Sequence, residues 1–183
     1  RCLFQLPPVL CLAVCLAGCS SVRQTPPSAP PSSGAAAGDE GPSDADLKRR
    51  AQAHAHYANG VLLELQRRRG AALEEYRTAA RLLPGDEALA WEVARKFIAA
   101  QKPEDAVELL RRATREPEVT SLTWARLASV ELQLGRTDEA VKAGLEAIAR
   151  DPESLAGYQA VCLARMQAGD FPAARAVLDE AEP

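Results

Sequence analysis

Small residues recur along this chain at a step of 34 positions. Ala72, Ala106, Ala140 and Ala174 form one series, and Ala79, Ala113, Ala147 and Ala181 a second. A third series, Gly60, Ala94, Ala128 and Cys162, keeps the same step and stays small. Alanine is common here, so one coincidence means little, but three series in phase over four copies are another matter. Two antiparallel helices joined by a short turn approach closely only where side chains are short, and larger residues on the same faces fill the gaps between neighbouring pairs. One such pair leaves an apolar side uncovered and must stack on the next to bury it. The period therefore predicts an all-α chain of four stacked helix pairs. Aromatic residues make up only 4%, and period-two alternation of β-branched residues is absent, which argues against a sheet.

A 34-residue period with this pattern resembles the tetratricopeptide repeat (TPR), whose helix-turn-helix unit carries small and large residues at fixed positions. With repeats starting at Ala53, Glu87, Ser121 and Leu155, the third copy matches best, through Trp124, Leu127, Ala128, Gly135, Ala140, Ala147 and Pro152. The fourth offers Tyr158, Cys162, Gly169, Phe171, Ala174, Leu178 and Ala181. The first offers Gly60, Ala72, Tyr76, Ala79 and Pro84, and the second Ala94, Ala106, Leu110 and Ala113. Four departures stand out. Arg67 occupies the turn position where glycine is usual, Pro103 lies in the second inter-helix turn, Pro117 comes one residue early, and Gly144 replaces a large residue. Loose packing of the helix carrying Gly144 is the expectation. The resemblance covers nearly all of residues 53–183 and implies an α-solenoid of about four repeats, at about 53–86, 87–120, 121–154 and 155–183, within a domain spanning 46–183.

The N-terminal stretch has a different character. Val9 to Ala17 is apolar, but far shorter than the roughly 20 residues a membrane-spanning helix needs. It fits the apolar region of a signal peptide, residues 1–18, although Arg1 is the only basic residue before it. With no initiator Met, the chain is expected to have lost its first few residues. Leu16-Ala17-Gly18-Cys19 resembles the lipobox of bacterial lipoproteins. That likeness implies cleavage before Cys19, acylation of its thiol, and a place in the bacterial cell envelope. Ser20, where an Asp would retain such a protein at the inner membrane, favours the outer membrane, facing the periplasm. Of five cysteines only Cys162 would then remain unmodified in the mature chain, so no internal disulfide is expected. Residues 19–45 are rich in Pro, Ser, Gly and Ala and read as a disordered leash reaching under about 30 Å. Ser43 and Asp46 form a capping pair that opens a helix. At the other end, Val177, Leu178 and Ala181 are expected to lie partly bare on the terminal face. That suggests a fragment of a longer reading frame, or an end covered by a partner or a second copy.

No residue cluster points to catalysis. His54 and His56 sit two apart, about 200° around a helix, whereas zinc pairs on helices favour i, i+4 spacing. Cys162 falls where smallness is required and reads as a buried structural thiol. Glycine-rich phosphate loops and nucleophile-elbow motifs are absent from the sequence. The formal charge of −3 and pI near 5.5 give no electrostatic case for nucleic acid. Arg67, Arg68 and Arg69 read as a solvated turn, with contact to anionic lipid as the alternative. The expectation is a chain with no metal, no cofactor and no small-molecule substrate.

The resemblance places a groove instead, lined by the first helix of each repeat. It brings inward Tyr57, Val61, Glu64, Trp91, Arg95, Ile98, Leu122, Ser129, Leu132, Gln159, Leu163 and Met166. Arg126 is the sole residue in keeping with the carboxylate clamp of chaperone-binding members, so capture of a C-terminal carboxylate is rejected. Such a surface suits an extended or helical peptide with aliphatic anchors. The leading expectation is a non-enzymatic, membrane-anchored scaffold that binds another protein during assembly of an outer-membrane or pilus/secretin-type complex. The alternative is an N-terminal docking module of a longer envelope enzyme.

Overall fold

A computed structural model of the chain describes residues 42–181. The expected signal peptide, Cys19 and all but the end of the leash lie outside the described residues. Eight helices follow one another: α1 (Asp44–Leu65), α2 (Arg69–Leu82), α3 (Glu87–Ala99), α4 (Pro103–Ala113), α5 (Ser121–Gln133), α6 (Thr137–Arg150), α7 (Leu155–Gln167) and α8 (Phe171–Ala181). The described residues contain no strand. Each helix packs on the next in the chain, and α3 and α7 each also pack on α5, which makes a stack of four pairs. No described helix is long and apolar enough to cross a membrane.

Helix starts follow local chemistry. Ser43 caps α1: its Oγ accepts from the Asp46 amide at 3.2 Å and donates to the Asp46 carboxylate at 2.7 Å. That hydroxyl holds the Asp46 carboxyl below its ordinary range. Asp86 accepts from the Leu89 amide at 2.9 Å to open α3, and Asp170 from the Ala173 amide at 3.2 Å to open α8. Pro103 does not interrupt the second turn; it begins α4, where its missing N–H would have had no helical partner.

Every first helix ends in the same way. Arg67, Gln101, Gly135 and Gly169, one per repeat, have φ of 61°, 61°, 72° and 79°. The following amide then closes on the carbonyl five residues back: Arg68 on Leu63, Lys102 on Phe97 and Asp170 on Arg165 at 2.9 Å, and Arg136 on Glu131 at 3.0 Å. This closure satisfies a carbonyl that the helix end would otherwise leave bare. The two glycines take the left-handed conformation without strain. Arg67 and Gln101 take it at a cost of about 1 kcal/mol each, because Cβ crowds the carbonyl oxygen.

The small-residue series line the contacts between helices. Ala72, Ala94, Ala106, Ala128, Ala140 and Ala147 are all essentially inaccessible to solvent. Tyr76 of α2 lies on Gly60 of α1 so closely that a Cβ there would sit 2.6 Å from the ring. The expectation of loose packing at Gly144 is wrong. Gly144 is buried, and Val161 and the backbone of α7 occupy the space that a large side chain would have filled. Polar ties cross between repeats as well. Glu87 accepts from the Thr120 amide at 3.0 Å, from the Thr120 hydroxyl at 2.8 Å, and from the Thr123 hydroxyl.

Candidate functional site

Residues three and four apart on a helix share a face, so Leu122, Arg126, Ser129 and Leu132 form one stripe on α5. Gln159 and Leu163 do the same on α7. These stripes, with Trp91 of α3, line a cleft of about 510 Å³. Its floor is low because Ala125, Ala156 and Ala160 carry no more than a methyl group there. Leu122 and Leu163 are 44% and 54% exposed, so the cleft presents aliphatic side chains that its own fold leaves uncovered.

One charge sits in this setting. The Arg126 guanidinium carbon lies 5.1 Å from the centroid of the Trp91 ring. This cation–π contact fixes the arginine over the wall of the cleft. Partial burial draws the Arg126 pKa down, although the carboxylates of Glu87 and Glu92 oppose the effect. The Ser129 hydroxyl donates to the Ala125 carbonyl at 2.9 Å and keeps its lone pairs free to accept. Gln167 donates to the Leu132 carbonyl across the α5–α7 seam at 3.4 Å.

Seven of the thirteen residues expected along the groove therefore come together: Trp91, Leu122, Arg126, Ser129, Leu132, Gln159 and Leu163. The other six do not line this cleft. The Tyr57 ring meets Tyr76 in a tilted contact with centroids 5.2 Å apart, and Val61 and Ile98 pack against the core. Glu64 pairs with Lys96 at 2.6 Å and accepts from the Tyr76 hydroxyl at 2.8 Å, bonds that draw its pKa down. Arg95 pairs with Glu92 on its own helix at 3.1 Å. Met166 is 48% exposed, with its sulfur 4.0 Å from Cys162 Sγ. Trp91 serves both surfaces, since it lines the cleft and packs on the core.

Other residues singled out in the sequence are scattered. His56 Nδ1 lies 2.6 Å from the Glu75 carboxylate, whereas His54 borders a separate cleft with Arg49 and Arg50. Among the described residues no three His, Cys, Asp or Glu side chains gather as metal ligands would. Cys162 is buried. One feature escaped the sequence reading. Glu131 is 1% exposed inside α5, held by Arg111 at 2.5 Å and Arg136 at 3.4 Å. Its signal was a charge at the repeat position that holds Leu63 and Phe97 in the first two copies.

Comparison with known proteins agrees with this architecture. A family model described as tetratricopeptide repeat matches residues 94–154. No curated protein sequence matches the chain. Among solved structures, a crystal structure of MamA protein superposes with a TM-score of 0.56 at 19% identity, covering 74% of each chain. A structure named MamA MSR-1 superposes with a TM-score of 0.54 at 20% identity, over 70% of this chain and 74% of the other. At such identities the likeness is one of fold, and the fold is a TPR-type solenoid.

Proposed function

We propose that this chain is a non-enzymatic, protein-binding solenoid of the bacterial cell envelope, held at a membrane by lipid on Cys19. Its α3–α5–α7 cleft receives an extended or helical segment of another protein through aliphatic side chains. The observation that carries the reading is the exposure of Leu122 and Leu163 across a concave surface whose floor is alanine. Burying such side chains contributes about 25 cal/mol per Å² of apolar area removed from water. The Arg126–Trp91 pair adds two of the residue types enriched where binding energy concentrates. A TPR-type stack suits this work because each first helix adds one stripe to a continuous surface.

Two experiments test the two halves separately. A photo-reactive amino acid at Leu163 should crosslink to a discrete protein in intact cells, and one at Glu108 on α4 should not. Equal labelling from both positions would sink the cleft as the binding surface. Replacing Cys19 with Ser should abolish palmitate incorporation and shift the protein to the soluble fraction; persistent labelling would sink the anchor.

A further inference from the structure

Helix α1 has two unlike sides. On one, Ala53 and Gly60 are buried against the rest of the fold. Nearly opposite run Leu47, Ala51, Ala55, Ala58, Leu62 and Leu65, at steps of three and four that keep them within about 80° of the helix circumference. All are exposed, the leucines by 50%, 56% and 77%. Leu47 and Leu65 lie about 27 Å apart along the axis, so the stripe runs nearly the length of the helix. Charge gathers around it. Over residues 44–69 six basic residues outnumber three acidic ones, a formal charge of +3 in a chain of −3. Lys48 sits at the edge of the stripe, Arg67, Arg68 and Arg69 follow its end, and all four are exposed. None of the four forms an ion pair among the described residues, whereas Arg49 is taken up by Asp46. Asp46 and Glu64 lie on the side turned from the stripe, where Lys96 holds Glu64, and Asp44 is the one acid that shares the outward side.

We propose that the outward face of α1 lies flat on an anionic lipid bilayer. Its leucines enter the boundary between headgroups and acyl chains, and its basic side chains reach the phosphates. Charge selects this occupant. A second copy pairing through the same face would set one positive helix against another, whereas anionic phospholipid neutralises it. The preceding segment offers little to cover three leucines, since Val22 is the one larger aliphatic side chain between Cys19 and Ser43. The contact does not require lipid on Cys19. It leaves the α3–α5–α7 cleft open, because no residue of α1 lines that cleft.

Co-sedimentation with vesicles tests this on the chain from Ser20 onward, which lacks Cys19 and keeps every described residue and the whole helical core. It should bind phosphatidylglycerol vesicles at least about tenfold more tightly than phosphatidylcholine vesicles, and more weakly as salt rises. Leu62→Asp should weaken binding at least about tenfold, as should Lys48→Glu with Arg68→Glu. Leu145→Asp, at a similarly exposed position on α6, should bind like the parent. Unchanged helical circular dichroism is the folding control. Equal binding to both lipids would overturn the proposal, as would full binding by Leu62→Asp. A mass that doubles with concentration in light scattering, and that Leu62→Asp returns to the monomer, would assign the stripe to a second copy and overturn it too. Palmitate labelling of the full protein reads the anchor on Cys19 separately, so failure here leaves that reading standing.

Discussion

Gly144 of α6 and Val161 of α7 occupy space that only one of them can fill. A Cβ built on Gly144 would lie 2.6 Å from Val161 Cγ2 and 3.2 Å from the Val161 backbone nitrogen. The β-branched Val161 has little rotamer freedom on a helix, so relief requires moving α7. The glycine is therefore where the third pair receives the fourth.

Gly144→Ala should destabilise the chain by about 1 kcal/mol. Overpacking costs roughly 1–3 kcal/mol, and the better helix propensity of alanine returns just under about 1 kcal/mol of it. Gly144→Leu, which restores the large residue usual at that position, should be worse still. Adding Val161→Ala to Gly144→Ala should recover part of the loss. Urea melts of the four proteins check this, and a stabilising Gly144→Leu would refute the packing described.

Gln101→Gly should stabilise the chain by up to about 0.5 kcal/mol, the strain of a side chain at positive φ less the extra entropy glycine brings to the unfolded state. Gly169→Ala should cost about 1 kcal/mol although its surroundings are open, because the conformation and not the space is at fault. Thermal melts should move in these opposite directions.

Acid should loosen the α3–α5 tie. Burial raises the Glu87 pKa, but hydrogen bonds from Thr123 and Thr120 outweigh it, and the net shift is downward. A carboxylate with a depressed folded pKa adds stability that is present above its unfolded value, near pH 4.3, and is lost as pH falls through the folded one. Glu87→Gln should therefore lower the urea midpoint at pH 7 and flatten its fall between about pH 5 and pH 3. An unchanged pH profile in the variant would remove Glu87 from this role.

Glu131 should prove replaceable as long as its arginines are not removed alone. Arg111→Ala with Arg136→Ala leaves a buried carboxylate without partners and should cost about 3 kcal/mol or more. Glu131→Leu, the type of residue found at the same position in the first copy, should stay within about 1 kcal/mol of the parent, since a packed apolar residue often equals a buried ion pair. Chemical denaturation of both variants gives the comparison.

The recurrence of small residues by itself determined the all-α stack, because close helix contacts demand short side chains and the demand repeats with the fold. The resemblance to the tetratricopeptide repeat placed Gly135 and Gly169 at its turn position. The stripes on α5 and α7 were legible through the same resemblance, which assigns the inward positions of each first helix. Tertiary structure alone decided the rest. Glu64 was drawn to Tyr76 and Lys96, and Arg95 to Glu92, because a polar side chain takes the partner that packing brings within reach. Gly144 reads as a gap in sequence and became a close contact, because a neighbouring helix can move into space that a missing side chain leaves.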